Sequence, residues 1–396
     1  MPMLHAMLRR CALAGVLLLT ACAQPAAPSA SSSMPASVVP VTVTPTHAAR
    51  PTATAVPVPA THPSATPVPT PTLAVVQVAL APPTPLADIT IVDRPLRGLR
   101  PLTDGRVKYR LAQWSPDGRW IAATPQDGPG LDLIDAGGGA PLRVVSDTYV
   151  LEPLWADAET LIVPQTGADG DALVAYRIAA SGVVSATLAS MPGPVHAVGA
   201  GPGLTSFSAD GGLYVVMNGG LQRVAELDAL VTAPALAEDG VPWIALTPMV
   251  LDLEQVQTQV LRLAPTGATL FSLSAAGEGL WLPRWAPRDG WLALTSIEGR
   301  IVTVASDGSA RHELGPGDQP AWSPDGTRLA YVGTNAGTQW ISRDLYLVDR
   351  AGRGPRLRLT QVGEGEFISS PSWSPDGARL ALVELDSGRI FVGELP

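Results

Sequence analysis

Lysine occurs once in this chain of 396 residues, at Lys108, and cysteine only twice, at Cys11 and Cys22. Arginine supplies nearly all the positive charge, and the formal net charge is -9. A chain this poor in cations, with no basic stripe, argues against the counterion-releasing grip on phosphate backbones that nucleic-acid binding requires. It argues equally against charge-driven docking on anionic lipid. With both cysteines in the first 22 residues, the remainder can build neither a disulfide framework nor a thiolate metal site. Long apolar runs are missing as well. Residues 11–19 are apolar, but a bilayer span takes about 20 such residues. A 3.6-residue period is absent over any long stretch, with a faint trace at 252–259. Nucleophile elbows, phosphate loops and dinucleotide fingerprints are absent too.

What is present begins with an address. Arg9 and Arg10 precede the apolar run, which ends in Leu19-Thr20-Ala21-Cys22. A basic start, a short apolar stretch and small residues before a cleavage point describe a secretory signal. The last four residues resemble the lipobox of bacterial lipoproteins. That resemblance implies removal of residues 1–21 and a lipid-carrying Cys22 at the mature N-terminus, holding the protein on the outer, extracytoplasmic face of a membrane. Residues 22–87 are mostly Pro, Thr, Ala, Ser and Val; Arg50 is their one formal charge, and they contain no Phe, Trp or Tyr. Such a segment has nothing with which to bury a core and reads as a disordered, polyproline-biased tether. Charged and aromatic residues return at Asp88, so the folded domain is expected over 88–396.

That domain repeats. Ser-Pro-Asp-Gly stands at 115–118, 323–326 and 374–377, each time behind a Trp (Trp114, Trp322, Trp373) and ahead of an apolar strand. Proline presets the second position of a type I turn, aspartate tolerates the third, and glycine takes the left-handed conformation that closes the hairpin. This assigns structural repeat roles to Trp114, Asp117, Gly118, Trp322, Asp325, Gly326, Trp373, Asp376 and Gly377. Weaker copies begin at Trp155 and Trp285, at Leu236 with Asp239-Gly240, and at Phe207 with Asp210-Gly211. A second element, an apolar strand usually followed by a Gly-containing turn, starts at Leu131, Leu173, Leu213, Val260, Ile301, Leu345 and Ile390. Seven occurrences at about 44 residues each match four short strands per unit, the size of a propeller blade. The expected fold is all-β, a seven-bladed β-propeller, with six or eight blades as the neighbouring counts. Its last unit stops at Pro396 without a fourth strand. Leu99-Arg100-Pro101-Leu102-Thr103 resembles the Leu357-Arg358-Leu359-Thr360 that closes the sixth unit, so an N-terminal strand is expected to close the ring.

The Trp-Ser-Pro-Asp-Gly phrase, followed by the strand Leu345-Tyr346-Leu347-Val348-Asp349, resembles the WD-like propeller repeat of TolB-type bacterial proteins. The resemblance covers essentially all of 88–396. It implies a β-propeller of the cell envelope that works by holding partners. Propellers of that type usually have six blades, so a count of seven departs from the pattern.

Catalytic chemistry has little to work with. His196 and His312 are the folded region's two histidines, and neither sits in a motif. Gly167-Ala168-Asp169-Gly170-Asp171 spaces oxygens as hard cations like but lacks the downstream bidentate Glu. Glu364 and Glu366 read as an exposed acidic loop. Trp281 and Trp340 lie outside the repeated positions and are candidate ligand-stacking residues. Arg353 and Arg356, within the basic run Arg350 to Arg358, are candidates for recognising carboxylates or phosphorylated glycans. The expectation is a monomeric, non-catalytic scaffold for a protein, peptide or envelope polymer, with no cofactor or metal. The alternative is an envelope glycan lyase or hydrolase using channel carboxylates.

Overall fold

The structure is a computed structural model. It describes residues 73–76, 80–82, 89–150, 152–167, 170–179, 182–201, 203–217, 219–226, 229–231, 235–236, 241–248, 257–264, 267–274, 278–339 and 341–396. The chain divides into two compact units, 1–64 and 65–396, and the first lies outside the described residues. Cys22, the signal, most of the tether and Trp340 fall outside them as well, as do 251–256, which hold most of the faint helical trace.

Each of the seven repeats becomes one antiparallel sheet. Blade 1 covers 109–145, blade 2 154–191, blade 3 195–225, blade 4 229–272, blade 5 280–316 and blade 6 318–358; blade 7 takes 368–394. No helix occurs among the described residues. First strands lie against one another from blade 2 through blade 4 and from blade 5 through blade 7, and the first strand of blade 7, Ile368–Trp373, meets that of blade 1, Tyr109–Trp114. First strands therefore line the axis and fourth strands form the rim.

The core sits between blades. Seven buried apolar clusters each join two neighbours, from blades 1 and 2 round to blades 7 and 1. The last pairing proves closure: Trp114, Ile121 and Ile134 of blade 1 pack with Ala381, Val383 and Ile390 of blade 7. Alternation makes this possible, since a strand with both faces buried presents one set of side chains to each neighbour.

The ring closes through the N-terminus. Arg97–Pro101 runs antiparallel to Arg389–Glu394, completing blade 7 as its fourth strand. Leu96 and Leu102 are buried at either end of it, and the Ile390 amide donates to Thr103 Oγ1 at 3.0 Å.

Three features differ from the sequence reading. Leu73–Val76, placed by composition in the tether, pairs in parallel with Gly267–Ser272 on the outer edge of blade 4. The chain then touches blade 5, where the Ala81 amide donates to the Gly308 carbonyl, and blade 6, where Ile91–Asp93 pairs in parallel with Arg356–Arg358. The segment before the blades is thus a belt along four of them. Second, Asp210-Gly211 of blade 3 joins the second and third strands, not the first and second. With φ of 48° and 68°, it forms the two-residue hairpin turn that Asp-Gly favours. Its first strand, Val195–Gly201, carries no Trp at all. Third, Ala229–Val231 and Ala235–Leu236 divide the first strand of blade 4 in two.

Candidate functional site

The repeated turns all lie on one face. In each strong copy the serine hydroxyl donates to the aspartate Oδ1 at 2.5 Å: Ser115 to Asp117, Ser323 to Asp325, Ser374 to Asp376. The backbone amides of Arg119, Thr327 and Ala378 donate to the same oxygens. Gly118, Gly326 and Gly377 adopt φ of 74°, 71° and 71°. A Cβ on Gly118 would meet Pro375 Cγ at 3.1 Å, so each turn rests on its neighbour as well as closing its own hairpin.

The hydrogen bond from Ser323 holds the Asp325 carboxyl down at about 2, and Ser374 likewise lowers that of Asp376. Carboxylates held that low donate no proton near neutrality. A lowered folded-state value stabilises fully above the ordinary range near 4 and is lost as pH falls towards 2. These side chains are largely exposed, so the gain is about 0.5–1 kcal/mol each after solvent screening. The melting-temperature gap between wild type and Asp325→Asn should therefore be widest at neutral pH and shrink between pH 4 and pH 2. A gap that stays constant over that range would contradict the assignment.

Between the turns of blades 5, 6 and 7 lies a recess of about 240 Å³, lined by Arg288, Pro324, Asp325, Arg328, Asp376 and Gly377 among others. A shallower one of about 610 Å³ continues past Asp376 to Arg97, Arg379 and Glu394. Arg328 lies over the Trp373 ring at 5.5 Å and Arg379 over Trp114 at 4.7 Å, each reaching from one blade to the Trp of the next. Trp322 Nε1 donates to the Arg284 carbonyl and Trp373 Nε1 to the Ala321 carbonyl, again one blade back.

The axis is lined by a feature the sequence reading did not single out. Leu282, Gln319 and Ser370 have φ of 50°, 51° and 53°, each three residues before a repeat Trp, each followed by proline, and each in a bulged first strand. Non-glycine residues enter that region at a cost of order 1 kcal/mol. The cost is offset by clasps between first strands: the Ser370 amide donates to Gln319 Oε1 at 2.7 Å, and the amides of Ala112 and Trp114 donate to the hydroxyls of Ser370 and Ser372. Proline two residues before the Trp was the available signal, and Pro153 of blade 2 shares it. Ahead of Pro153 stands Glu152, which pairs with Arg284 of blade 5 at 3.0 Å. Blades 3 and 4 separate these residues on one side and blades 6, 7 and 1 on the other, so the pair bridges the axial channel.

The four ligand-binding candidates do not converge. Trp281 is half-buried near the start of blade 5's first strand, its Nε1 without a partner. Trp340 lies outside the described residues. Arg353 is exposed on the turn face, 3.7 Å from Asp349. Arg356 is buried over the Tyr331 ring at 5.8 Å, and burial pushes that phenol up to about 12. The basic run is therefore no patch: Arg350 pairs with Asp289 of blade 5 and Arg358 with Asp93 of the belt. His312 stacks on Trp291 at 5.5 Å, and burial, followed by the charge of Arg353, lowers its pKa and keeps it neutral. Glu364 accepts from Thr338 and Gln339, Glu366 from Gly363, and Asp171 from the Val195 amide. Among the described residues no three His, Cys, Asp or Glu converge in a cation-holding arrangement.

No family model matches this chain. The Tol-Pal system proteins TolB of Bordetella pertussis and Bordetella parapertussis are each 43% identical to it over 66 residues, 17% of this chain. That segment spans only 14% and 13% of those relatives' own length. Among solved structures, the β-propeller domain of Cps50 (Swd1) from Myceliophteria thermophila superposes with a TM-score of 0.51 at 14% identity, over 75% of this chain and 98% of that one. A chain of a mitotic checkpoint complex gives 0.54 at 14% identity, over 80% and 97%. The structural likenesses establish the fold, and the short sequence match makes the propeller TolB-like.

Proposed function

We propose that this chain is a non-catalytic binding scaffold, anchored by lipid on Cys22 to the outer face of a bacterial membrane, and that it holds a protein, peptide or envelope polymer on its turn face. The observation that carries this reading is the recess between blades 5, 6 and 7. Asp325 and Asp376 are held there by two copies of one hydrogen-bonded turn and Arg328 lies over the Trp373 ring, and pre-ordered groups lose little entropy on binding. The likeness of one segment to Tol-Pal system proteins favours an envelope setting. The Pro/Thr/Ala-rich residues between Cys22 and Leu73 would separate the propeller from the membrane.

The test uses the full chain in its native host. Proximity labelling followed by pull-down should recover an envelope component, and Arg288→Glu at the recess with Arg353→Glu elsewhere on the turn face should reduce recovery about tenfold, as expected when exposed charges of a binding face are reversed. Labelled palmitate should be lost in Cys22→Ala. Undiminished recovery by the double variant would refute the turn face as the binding surface, and retained label would refute the anchor. Cleavage of envelope glycan by purified wild type would replace the scaffold with the lyase or hydrolase alternative.

A further inference from the structure

A sheet edge is a row of unpaired amides and carbonyls, and proteins blunt such edges with charge, proline, brevity or a covering segment. Blade by blade, this ring does so. The outer strand of blade 1, Leu142–Val145, has four residues, including Arg143, which is tied to Asp132. That of blade 3, Gly220–Ala225, carries Arg223, and that of blade 5, Arg311–Pro316, carries two charges and ends in proline. Blades 4 and 6 are covered by Leu73–Val76 and Ile91–Asp93. Blade 7 ends in Arg97–Pro101, with two arginines and a proline.

Blade 2 breaks the rule. Its outer strand, Gly182–Met191, is ten residues long and contains no charge and no proline. A bulge falls at Leu188, but Gly182 to Thr187 pair without interruption with Ala179 to Val174, leaving a straight edge of six residues. Residues 184–188 are exposed, and Val184 stands 58% open to solvent. Among the described residues no strand is added outside it.

We propose that this edge is a strand-addition site for a partner protein, taking an extended, uncharged segment rich in β-branched residues, with an aliphatic side chain laid over Val184. The occupant's chemistry and direction are read from the ring itself. Two fourth strands, on blades 4 and 6, already carry an added strand, both in parallel; one of these is the uncharged Leu73–Val76. The fourth strand of blade 2 presents the same edge with the same polarity. A second copy pairing across a two-fold axis would run antiparallel, unlike either precedent. Backbone pairing supplies affinity in this mode and alternate side chains supply selectivity. The surface is lateral, distinct from the turn face, and stands whether or not that face binds anything.

The experiment places a photo-crosslinking amino acid at Ser185 of the full chain in its native host, with Glu298, an exposed turn residue on the opposite face of blade 5, as the control site. The expected result is an adduct at Ser185 whose cross-linked peptide is an uncharged, β-branched segment of another protein. Ser185→Lys with Thr187→Lys, read through a crosslinker at Ala186, should reduce the adduct about tenfold, with an unchanged melting temperature. The turn-face variant Arg288→Glu with Arg353→Glu should leave it intact. No adduct above the Glu298 control, an adduct to a second copy, or an adduct to this chain's own N-terminal segment would each overturn the proposal.

Discussion

Deleting residues 88–104 should lower the melting temperature by on the order of 10 °C and make the protein associate as its concentration rises. The deletion removes the fourth strand of blade 7, its ladder to Arg389–Glu394 and two buried leucines, Leu96 and Leu102. It also cuts the bonds from the Leu102 amide to the Ile390 carbonyl and from the Leu96 amide to the Leu359 carbonyl. Each buried leucine contributes about 2 kcal/mol and each paired amide about 1 kcal/mol. After the chain entropy regained by the freed residues, a net loss on the order of 5 kcal/mol remains. For a domain of this size each kcal/mol moves the transition by about 2 °C. The second consequence is the exposed edge of Arg389–Glu394, whose middle residues Ile390 to Gly393 are uncharged. Calorimetry with light scattering over a hundredfold concentration range reads both effects. A deletion protein that melts with wild type and stays monomeric would show that the ring does not depend on this strand.

Trp373→Ala should cost about 3–5 kcal/mol, the usual loss for an aromatic ring removed from a packed interface. Trp373 sits in the cluster between blades 6 and 7, donates to the Ala321 carbonyl at 3.0 Å and lies beneath Arg328. Trp281→Ala, at a half-buried ring outside every interblade cluster, should cost well under half as much. A sharper comparison uses phenylalanine. Trp373→Phe loses a hydrogen bond to a part-buried carbonyl, whereas Trp114→Phe does not, because Trp114 Nε1 has no partner. The first should therefore be more destabilising by about 1 kcal/mol. Denaturant melts of the four variants decide the matter, and equal costs for Trp373→Ala and Trp281→Ala would remove the interblade role assigned to the repeat tryptophans.

Local chemistry explains what could be read in advance. The Ser-Pro-Asp-Gly turns were legible because one glycine conformation and one proline φ dictate them, and the third strands because short runs dominated by apolar residues need burial on both faces. Closure was legible in the likeness of Leu99–Thr103 to Leu357–Thr360. The misplaced copy in blade 3 has the opposite cause: Asp-Gly serves either hairpin of a blade, and without a Trp ahead of it nothing local distinguishes them. Leu73–Val76 was hidden because its pairing partner lies nearly two hundred residues away. The same holds for Glu152 and Arg284, which meet only because the ring brings opposite walls together. Arg350, Arg356 and Arg358 looked like one patch in sequence because a turn and the strand after it list as neighbours side chains that end in different places: on blade 5, on Tyr331 of their own blade, and on the belt.

The belt has a mechanical consequence. Among the described residues, tension applied at Leu73 meets the four pairs on blade 4, then the bond from Ala81 to Gly308, then the three pairs on blade 6. Only after these does load reach Arg97–Pro101, the latch of the whole ring. A pulled molecule sheds its outer fastenings in order and lengthens at each release, so the circle stays shut until the slack is spent.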